Sequence, residues 1–305
     1  MIVLLIILIL VLLLLTVAYF TFYFTIVRLP VQADPQRSKY LRPFREQILT
    51  GAQWFRDQGP EAVELRARDG LKLAGWFLPA PEARGTLLLV HGYRSSPFCD
   101  FGAVFEFYHQ LGWNILAVEQ RAHGNSEGSY ITFGVKERFD VCDWALYLAD
   151  RFGPAHRIVL DGISMGSASV LMALGTPLPD NVKGVIADCG FTCPYDEFAH
   201  VLQRRHIPRQ PLIALAELYA KLFAGFGFRD CSTVDALRQS RLPVLFVHGE
   251  QDKFVPIHFT VENYAACAGE KQLITVPEAG HGTSYIFATA QCQSALREFL
   301  GRLAE

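Results

Sequence analysis

The sequence lacks several features that would assign a protein to a broad functional class. Its 305 residues carry 28 lysines and arginines against 30 acidic residues, a formal net charge of -2, and they contain no basic block. This balance argues against a nucleic-acid-binding surface, so no nucleic-acid partner is expected. There is no internal repeat, which excludes a repeat architecture, and no low-complexity segment beyond the N-terminus.

Cysteines with metal-binding spacing are also absent. The 7 cysteines are odd in number and scattered, and no two form a C-x2-C pair. This pattern indicates neither a zinc site nor a disulfide framework, and unbonded cysteines suit a reducing compartment. The nearest pair, Cys189 and Cys193, is expected to be unbonded. The histidines show no metal-ligand spacing either, so we expect no metal and no cofactor.

Charge is absent from residues 1–27. As a helix, this segment would be roughly 40 Å long at about 1.5 Å per residue, which is enough to span a bilayer. We predict an uncleaved, single-pass transmembrane anchor. The alternative is a signal peptide cleaved near Val31-Gln32-Ala33, but the segment lacks a positive n-region and its apolar run is long. Aromatic residues gather toward one end, as interfacial anchors do: Tyr19, Phe20, Phe22, Tyr23 and Phe24.

Positive charge follows directly after this apolar segment and does not precede it. Because positive flanks stay on the inner side of a membrane, we predict a location at the cell membrane with the globular domain in the cytoplasm. Residues 28–60 are expected to form a juxtamembrane linker with a helix around Arg42–Phe55, and residues 61–305 the globular domain. The basic residues of the linker are Arg28, Arg37, Lys39, Arg42 and Arg45.

Residues 61–305 alternate between short apolar runs and helical patterns. Val63–Arg68 and Leu71–Phe77 flank an Asp-Gly turn and predict a hairpin. The alternation that follows predicts an α/β fold with a mostly parallel sheet covered by helices on both faces. Further strands are expected at Thr86–Val90, Asn114–Val118, Arg157–Leu160, Val182–Ala187, Val244–Val247 and Gln272–Val276. Helices are expected at Pro97–Leu111, Lys136–Phe152, Ser167–Leu174, Ile257–Cys267 and Ser284–Leu300, with a helical insert at 194–240.

A Gly-x-Ser-x-Gly motif, Gly162 to Gly166, follows the strand that ends at Leu160. The strand–turn–helix context is that of a nucleophile elbow, in which the serine backbone is strained and glycines two residues before and after it prevent clashes. Ser164 would then stand at the start of a helix, where the N–H of Met165 can bind a developing oxyanion. The plain alternative is a Gly/Ser-rich turn between a strand and a helix.

Asp252 and His281 follow the last two predicted strands. Because the carboxyl ends of parallel strands meet at one edge of a sheet, we expect both side chains near Ser164. His281 would take the proton of Ser164 and return it to the leaving group, while Asp252 would hold the imidazole in the required tautomer. Taken singly, Asp252 is also a common turn residue and His281 a common surface histidine.

Other polar residues also lie at strand ends. Asp188 also ends a predicted strand and is the alternative acid. His91, His123 and His248 are expected to be hydrogen-bonded structural histidines.

These motifs together resemble the α/β-hydrolase superfamily over roughly residues 61–303, most closely the membrane-anchored serine hydrolases of bacteria and more distantly anchored depalmitoylase-like enzymes. The resemblance implies an oxyanion hole made by the backbone N–H groups of Tyr93 and Met165. The sequence departs from the usual pattern at Glu119 and Ala122, where Asp and Gly are usual. The motifs are His91-Gly92-Tyr93, Arg121-x-His123-Gly124-x-Ser126-x-Gly128, Gly162-Ile163-Ser164-Met165-Gly166, Asp188-Cys189-Gly190-Phe191, His248-Gly249-x-x-Asp252-x-x-Val255-Pro256 and Gly280-His281-Gly282.

The resemblance implies a membrane-tethered serine hydrolase that cleaves small carboxylic esters or thioesters through an acyl-serine. A serine exopeptidase and a non-catalytic binding protein that retains the fold are the alternatives. The insert 194–240 is expected to be a short helical lid. Its apolar stripe either packs on the core of the sheet or roofs an acyl pocket above Ser164. The stripe consists of Leu212, Leu215, Tyr219, Leu222, Phe223 and Phe226.

Overall fold

The computed structural model describes residues 1–30 and 33–304. The alternative cleavage site therefore lies partly outside the described residues, at Val31 and Gln32. The strands are β1 Glu61–Arg66, β2 Lys72–Leu78, β3 Thr86–Val90, β4 Asn114–Glu119, β5 Ile158–Ile163, β6 Val182–Asp188, β7 Val244–Gly249 and β8 Lys271–Val276. The helices are α1 Ile2–Ile26, α2 Arg45–Asp57, α3 Pro97–Asp100, α4 Phe105–Gln110, α5 Glu137–Phe152, α6 Met165–Ala173, α7 Pro194–Arg204, α8 Leu212–Tyr219, α9 Thr233–Gln239, α10 His258–Ala266, α11 Ser284–Phe287 and α12 Thr289–Ala304.

All eight strands form one sheet in the order β1-β2-β4-β3-β5-β6-β7-β8. β2 pairs antiparallel with β1 and with β4, and every other pair of neighbours is parallel. The sheet is flanked by helices, so the predicted α/β-hydrolase fold is confirmed. In its centre β5 lies between β3 and β6, with Val90 opposite Gly162 and Asp188 opposite Ile163. The loops that follow these three strands therefore emerge side by side.

Each face of the sheet carries its own apolar core. On one face Leu88 and Val90 pack in a cluster with Trp144 of α5. On the other face Leu87 and Leu89 pack in a cluster with aromatic side chains of α2, α4 and α12. Every residue of β3 is buried because both faces are covered, which explains its uninterrupted apolar sequence.

A third apolar cluster joins α1 to the domain at the edge where the strands end. Ala18, Phe22 and Ile26 are buried and recur every four residues, so one face of α1 packs on the protein. The cluster continues through α6, α8 and the aromatic residues that follow α8. The helix is long and apolar enough to cross a membrane, yet its C-terminal half is part of the folded domain.

Two helices expected from the sequence as single segments are each divided. Pro97–Leu111 contains α3 and α4, and Ser284–Leu300 contains α11 and the start of α12. Gly102 lies between α3 and α4, where a Cβ atom would stand 2.4 Å from the carbonyl oxygen of Ile48 in α2. This close backbone approach accompanies the break, and no local sequence pattern specifies it.

The expected stripe of the insert is only partly correct. After Tyr219 the helix widens into a π-helical turn, Ala220–Ala224. Ala220 and Ala224 face inward at the spacing that continues from Ala216, while Leu222 and Phe223 are exposed and Phe226 is buried as expected. The stripe that packs inward combines Leu212 with Ile213, Ala216, Ala220 and Ala224.

Candidate active site

Ser164 occupies a strained turn between β5 and α6. Its φ of 58° and ψ of -118° place a non-glycine residue in a region that costs about 1–3 kcal/mol. A Cβ atom at Gly162 would lie 2.4 Å from the backbone carbonyl carbon of Gly166, and one at Gly166 would lie 1.9 Å from the carbonyl oxygen of Val90. The two glycines are thus required by close backbone contacts, as the elbow motif predicts.

The structure brings Asp252 and His281 to Ser164. Nε2 of His281 lies 2.9 Å from Oγ of Ser164, and Nδ1 of His281 lies 2.6 Å from Oδ2 of Asp252. The other carboxylate oxygen of Asp252 accepts hydrogen bonds from the backbone N–H groups of Phe254 (2.8 Å) and Val255 (3.0 Å). Three residues from three loops therefore form one hydrogen-bonded chain that can move a proton away from the serine.

The electrostatics of this hydrogen-bonded chain suit His281 as a base that the Asp252 carboxylate orients. Burial alone would raise the pKa of Asp252, but the positive charge of His281, its hydrogen bond and the nearby ring of His248 lower it below its usual range. Burial would lower the pKa of His281, but the Asp252 carboxylate outweighs it and raises that pKa. Asp252 thus remains ionised, and His281 binds a proton more readily than free imidazole does.

Asp188, the alternative acid, is not the partner of His281. Its backbone carbonyl accepts the N–H of Ser164 at 2.8 Å, so it supports the turn through its main chain. Oδ1 of its carboxyl has no hydrogen-bond partner in residues 1–30 and 33–304. Burial raises its pKa to about 6. The geometry therefore favours Asp252 as the acid.

The three other strand-end histidines are hydrogen-bonded and buried, as the sequence predicts. Nδ1 of His248 lies 2.7 Å from Oγ1 of Thr260. Nε2 of His91 accepts the backbone N–H of Gln120 (3.1 Å), and Nε2 of His123 accepts that of Arg94 (3.0 Å). Burial lowers the pKa of His91 well below its usual value and that of His123 to about 4, so both rings are neutral.

The supporting loop tolerates its two unusual residues. Ala122 has a φ of 61°, the left-handed conformation that glycine adopts without strain. The backbone therefore adopts the conformation expected for the usual glycine, with some conformational strain at the alanine. The carboxylate of Glu119 accepts the backbone N–H of Asn125 at 2.7 Å. It also fills the space beside Gly124, where a Cβ atom would lie 2.3 Å from it.

The expected oxyanion donors flank Ser164. Met165 is the first residue of α6, and Tyr93 follows Gly92, where a Cβ atom would lie 3.3 Å from the Cβ of Ser164. In the part of the chain that the structure describes, neither backbone N–H has a hydrogen-bond partner. Both donors therefore remain available beside the serine, and their role stays a prediction.

Two cavities meet at Ser164. The first has a volume of about 240 Å³ and lies between α1, α7 and α8. The second, of about 440 Å³, reaches past His281 toward Tyr40. The first is mainly apolar, and its walls include Phe22, Ile26, Phe133, Phe198, Leu212 and Phe228.

Glu197 is a polar member of the first cavity that sequence reasoning missed. It is buried on α7, and neither carboxyl oxygen has a hydrogen-bond partner within the described residues. Burial raises its pKa to about 8, so the side chain is mainly a neutral acid at pH 7. An acidic residue on an amphipathic helix carries no local signal that it will be buried.

One group of possible metal ligands occurs in residues 1–30 and 33–304, namely Cys189, Asp252 and His281. Asp252 and His281 already bind each other. Burial raises the pKa of Cys189 well above its usual value, which disfavours the thiolate that a metal requires. The donor set is therefore a poor fit for a metal ion.

The chain is similar to known proteins in sequence and in fold. The uncharacterized protein YqkD of Bacillus subtilis (strain 168) is 27% identical over 250 residues, which cover 82% of each chain. The uncharacterized membrane protein YNL320W of Saccharomyces cerevisiae is 25% identical over 229 residues, 74% of this chain and 75% of its own. Among solved structures, the Pyrococcus furiosus esterase Pf2001 is similar with a TM-score of 0.67 and 25% identity, covering 81% of this chain and 93% of the esterase.

The family assignment rests on the match to a family model. The model of a family described as "Alpha/beta hydrolase family" matches residues 87–291, which run from β3 to α12 and include Ser164, Asp252 and His281. The match therefore covers more than half of the chain. Together with the sheet order and the strained serine turn, it shows that the chain belongs to the alpha/beta hydrolase family.

Proposed function

We propose that this protein is a membrane-tethered serine hydrolase that cleaves carboxylic esters or thioesters through an acyl-serine intermediate. The observation that carries the proposal is the hydrogen-bonded chain from Ser164 through His281 to Asp252, with distances of 2.9 and 2.6 Å. The likeness to an esterase of known structure supports the same reaction class.

The reaction begins with a proton transfer from Ser164. Nε2 of His281 takes the hydroxyl proton while Oγ attacks the carbonyl carbon, and the Asp252 carboxylate stabilises the imidazolium that forms. The N–H groups of Tyr93 and Met165 bind the oxyanion of the tetrahedral intermediate. As the bond to the leaving group breaks, His281 gives that proton to the departing alkoxide or thiolate. His281 then deprotonates a water molecule, whose oxygen attacks the acyl carbon. The bond from that carbon to Oγ breaks, and His281 gives the proton to Oγ, which releases the acid and restores the serine.

The two cavities suggest which part of the substrate lies where. The mainly apolar first cavity suits the acyl chain, and each buried methylene can contribute up to about 0.8 kcal/mol. Its volume of about 240 Å³ suits a chain of medium length. The second cavity, beside His281, suits the leaving group because His281 must protonate it. The short insert argues against efficient hydrolysis of long-chain triglycerides.

The tether is the apolar helix α1, and the domain is proposed to face the cytoplasm. The basic residues that follow α1 support this orientation, since positive flanks stay inside. All seven cysteines are free, Cys189 and Cys193 included, which fits a reducing compartment. A yeast relative is itself named as a membrane protein. Protease treatment of intact cells tests the orientation. Digestion of the domain without lysis would show that it faces the outside of the cell.

Fluorophosphonate labelling followed by a panel of nitrophenyl esters and matching thioesters tests the reaction. We expect labelling, and a kcat/KM that rises by about tenfold or more from two-carbon to six- or eight-carbon acyl groups. A flat or falling series overturns the apolar acyl site and favours a small polar acid. Cleavage of aminoacyl anilides in preference to esters would indicate that the protein is a serine exopeptidase. Absence of labelling would indicate a non-catalytic binding protein that retains the fold.

A further inference from the structure

The N-terminal helix packs against the lid along half of its length. From Leu14 onward, α1 turns one face to the domain, whereas every residue before Leu14 is exposed. The hydroxyl of Tyr219 donates to the carbonyl oxygen of Leu15 at 3.3 Å, and its ring lies 6.1 Å from that of Phe22. The side chain of Tyr219 therefore runs along α1 from Phe22 to Leu15, so the end of α8 lies beside the C-terminal half of the apolar helix.

The length of α1 then determines where the lid lies if the helix spans a bilayer. A hydrocarbon core needs about 20 residues of helix, whereas the free part, residues 2–13, is only roughly 18 Å long at about 1.5 Å per residue. A full span that starts at Ile2 ends near Thr21. Leu15 is then roughly 9 Å below the hydrocarbon edge. The hydroxyl of Tyr219 reaches this depth, while its ring, which lies 5.6 Å from that of Tyr19, is nearer the edge.

The surface of the lid beside α1 is apolar. Leu218 is 49% exposed, Leu222 67% and Phe223 53%. The ring of Tyr219, which stacks on Phe223, lies 5.6 Å from the exposed ring of Tyr19, so this lid tip adjoins the exposed apolar surface of α1. In water these side chains would cost hydrophobic free energy, whereas in a bilayer they are solvated by acyl chains.

Charges near the lid suit the edge of a bilayer. The last residue of α7, Arg204, and two residues of the loop between α7 and α8, Arg205 and Arg209, are exposed. No described carboxylate lies within salt-bridge distance of them. This loop precedes Leu212, which lines the first cavity together with the last turn of α1, so it lies on the headgroup side. Within the tip, Lys221 is paired with Glu217 at 3.1 Å, and its long side chain can reach the headgroups.

We propose that the lid tip Leu218–Phe223 is seated in the acyl-chain layer, next to the headgroups, of the membrane leaflet on the side of the domain, and that the first cavity receives the acyl chain of a bilayer-resident ester or thioester. The second half of this statement rests on the proposed hydrolase activity. The partner of this surface is the lipid bilayer, and the substrate class is an acylated lipid or acylated membrane protein.

The walls of the first cavity support this entry route. Phe22, Thr25 and Ile26 of α1 face Leu212 and Ile213 of α8 across it, so the two elements that contact the bilayer also bound the cavity. A single acyl chain could leave the bilayer between them without crossing water. A substrate dissolved in water would need no such arrangement of the lid.

The seating of the lid is tested without any enzyme activity. Leu222→Cys is labelled with an environment-sensitive fluorophore in the full chain, reconstituted in phosphatidylcholine vesicles. Six of the native cysteines are buried, and a chain without the added cysteine corrects for the partly exposed Cys231. The matched control is Leu146→Cys, an exposed leucine on α5. We expect a blue-shifted emission, quenched by brominated lipid, at position 222 and not at 146. Equal and water-like emission at both positions overturns the proposal.

The entry route is tested by the ratio of two rates. kcat/KM is measured on a long-chain thioester embedded in vesicles and on a water-soluble butyrate ester. In the double variant Leu218→Asp with Leu222→Asp, we expect the ratio of vesicle to soluble rates to fall by about tenfold or more, since charged side chains leave the acyl layer. Leu146→Asp should keep the wild-type ratio. An unchanged ratio in the double variant overturns bilayer entry.

The two experiments separate the possible failures. If the protein hydrolyses neither substrate while the fluorophore at position 222 still reports lipid, the proposed function is wrong and the seating stands. If hydrolysis of the soluble ester is normal while position 222 is in water, the hydrolase stands and the seating is wrong.

Discussion

The hydroxyl of Tyr93 donates a 2.8 Å hydrogen bond to the backbone carbonyl of Thr25, which links the loop after β3 to the last turn of α1. The last carbonyls of a helix lack partners within it, and Arg94 supplies a second donor by binding the carbonyl of Phe24 at 2.7 Å. The positive charge of Arg94 also suits this end of the helix. The apolar helix is therefore part of the wall of the candidate site.

This packing predicts different effects for two phenylalanines of α1. Phe22→Ala removes a buried side chain that lines the first cavity, so we expect a loss of about 3 kcal/mol in the free energy of unfolding. We also expect a larger fall in kcat/KM for eight-carbon than for two-carbon esters. Phe20→Ala is the control, because that ring is 51% exposed on the same helix. Thermal unfolding in detergent and the ester series measure both effects, and equal responses of the two variants would contradict the packing.

Ser164→Ala should keep the fold and abolish fluorophosphonate labelling, because no other residue occupies the strained turn opposite His281. Turnover should fall by several orders of magnitude, and the oxyanion hole should support a small remaining activity. Ser167→Ala, at a buried serine in α6, is the matched control and should label normally. Mass spectrometry of the adduct identifies the labelled residue. A label on any other serine of the native protein refutes the assignment.

Asp252→Asn should reduce kcat about 10³-fold or more, because it removes the charge that stabilises the imidazolium and leaves the wrong tautomer. Asp188→Asn should cost much less, since Nδ1 of His281 binds Asp252 and the backbone of Asp188 supports the serine turn. Steady-state kinetics of the two variants rank the two acids. The reverse ranking would show that Asp188 is the functional partner.

The rate of inactivation by fluorophosphonate should rise with pH as His281 loses its proton. Because the Asp252 carboxylate raises the pKa of His281, the proton is held to higher pH, and the midpoint should lie above the roughly 6.5 of free imidazole. In Asp252→Asn the midpoint should move to lower pH, since the negative charge is gone. A midpoint at or below 6.5 in the wild type, unmoved by the substitution, contradicts this coupling.

Glu197→Gln should remove a pH-dependent loss of stability. The folded pKa of Glu197 is raised to about 8, against roughly 4.3 in an unfolded chain. The contribution of Glu197 to the free energy of unfolding is therefore fully present below the pKa of the unfolded state. It is lost as the pH rises toward the pKa of the folded state. Relative to the variant, the wild type should lose on the order of 3 kcal/mol between pH 5 and pH 8. Denaturant unfolding at both pH values measures the difference, and parallel curves would show that Glu197 titrates normally.

Local patterns in the sequence determined most of the secondary structure and the chemistry of the candidate site. Thr86–Val90 is a strand with the bounds that its apolar run predicts, because a strand covered on both faces needs no polar residue. The glycines around Ser164 predict its turn, because the close backbone contacts there leave no room for a Cβ atom. Asp252 and His281 could be assigned to the same site because parallel strands bring their carboxyl ends to one edge.

Tertiary packing decided what no local pattern carries. The choice of Asp252 over Asp188 depends on where two loops place His281, and the burial of Glu197 depends on which elements cover α7. The sequence of residues 1–27 specifies an apolar helix but not its docking, because Tyr93 and Thr25 are separated by 68 positions. Of the stripe residues after Tyr219, Leu222 and Phe223 are exposed and Phe226 is buried, a difference that their spacing in the sequence does not predict. An apolar stripe tells which side chains avoid water, and only the packed structure decides whether protein or lipid covers them.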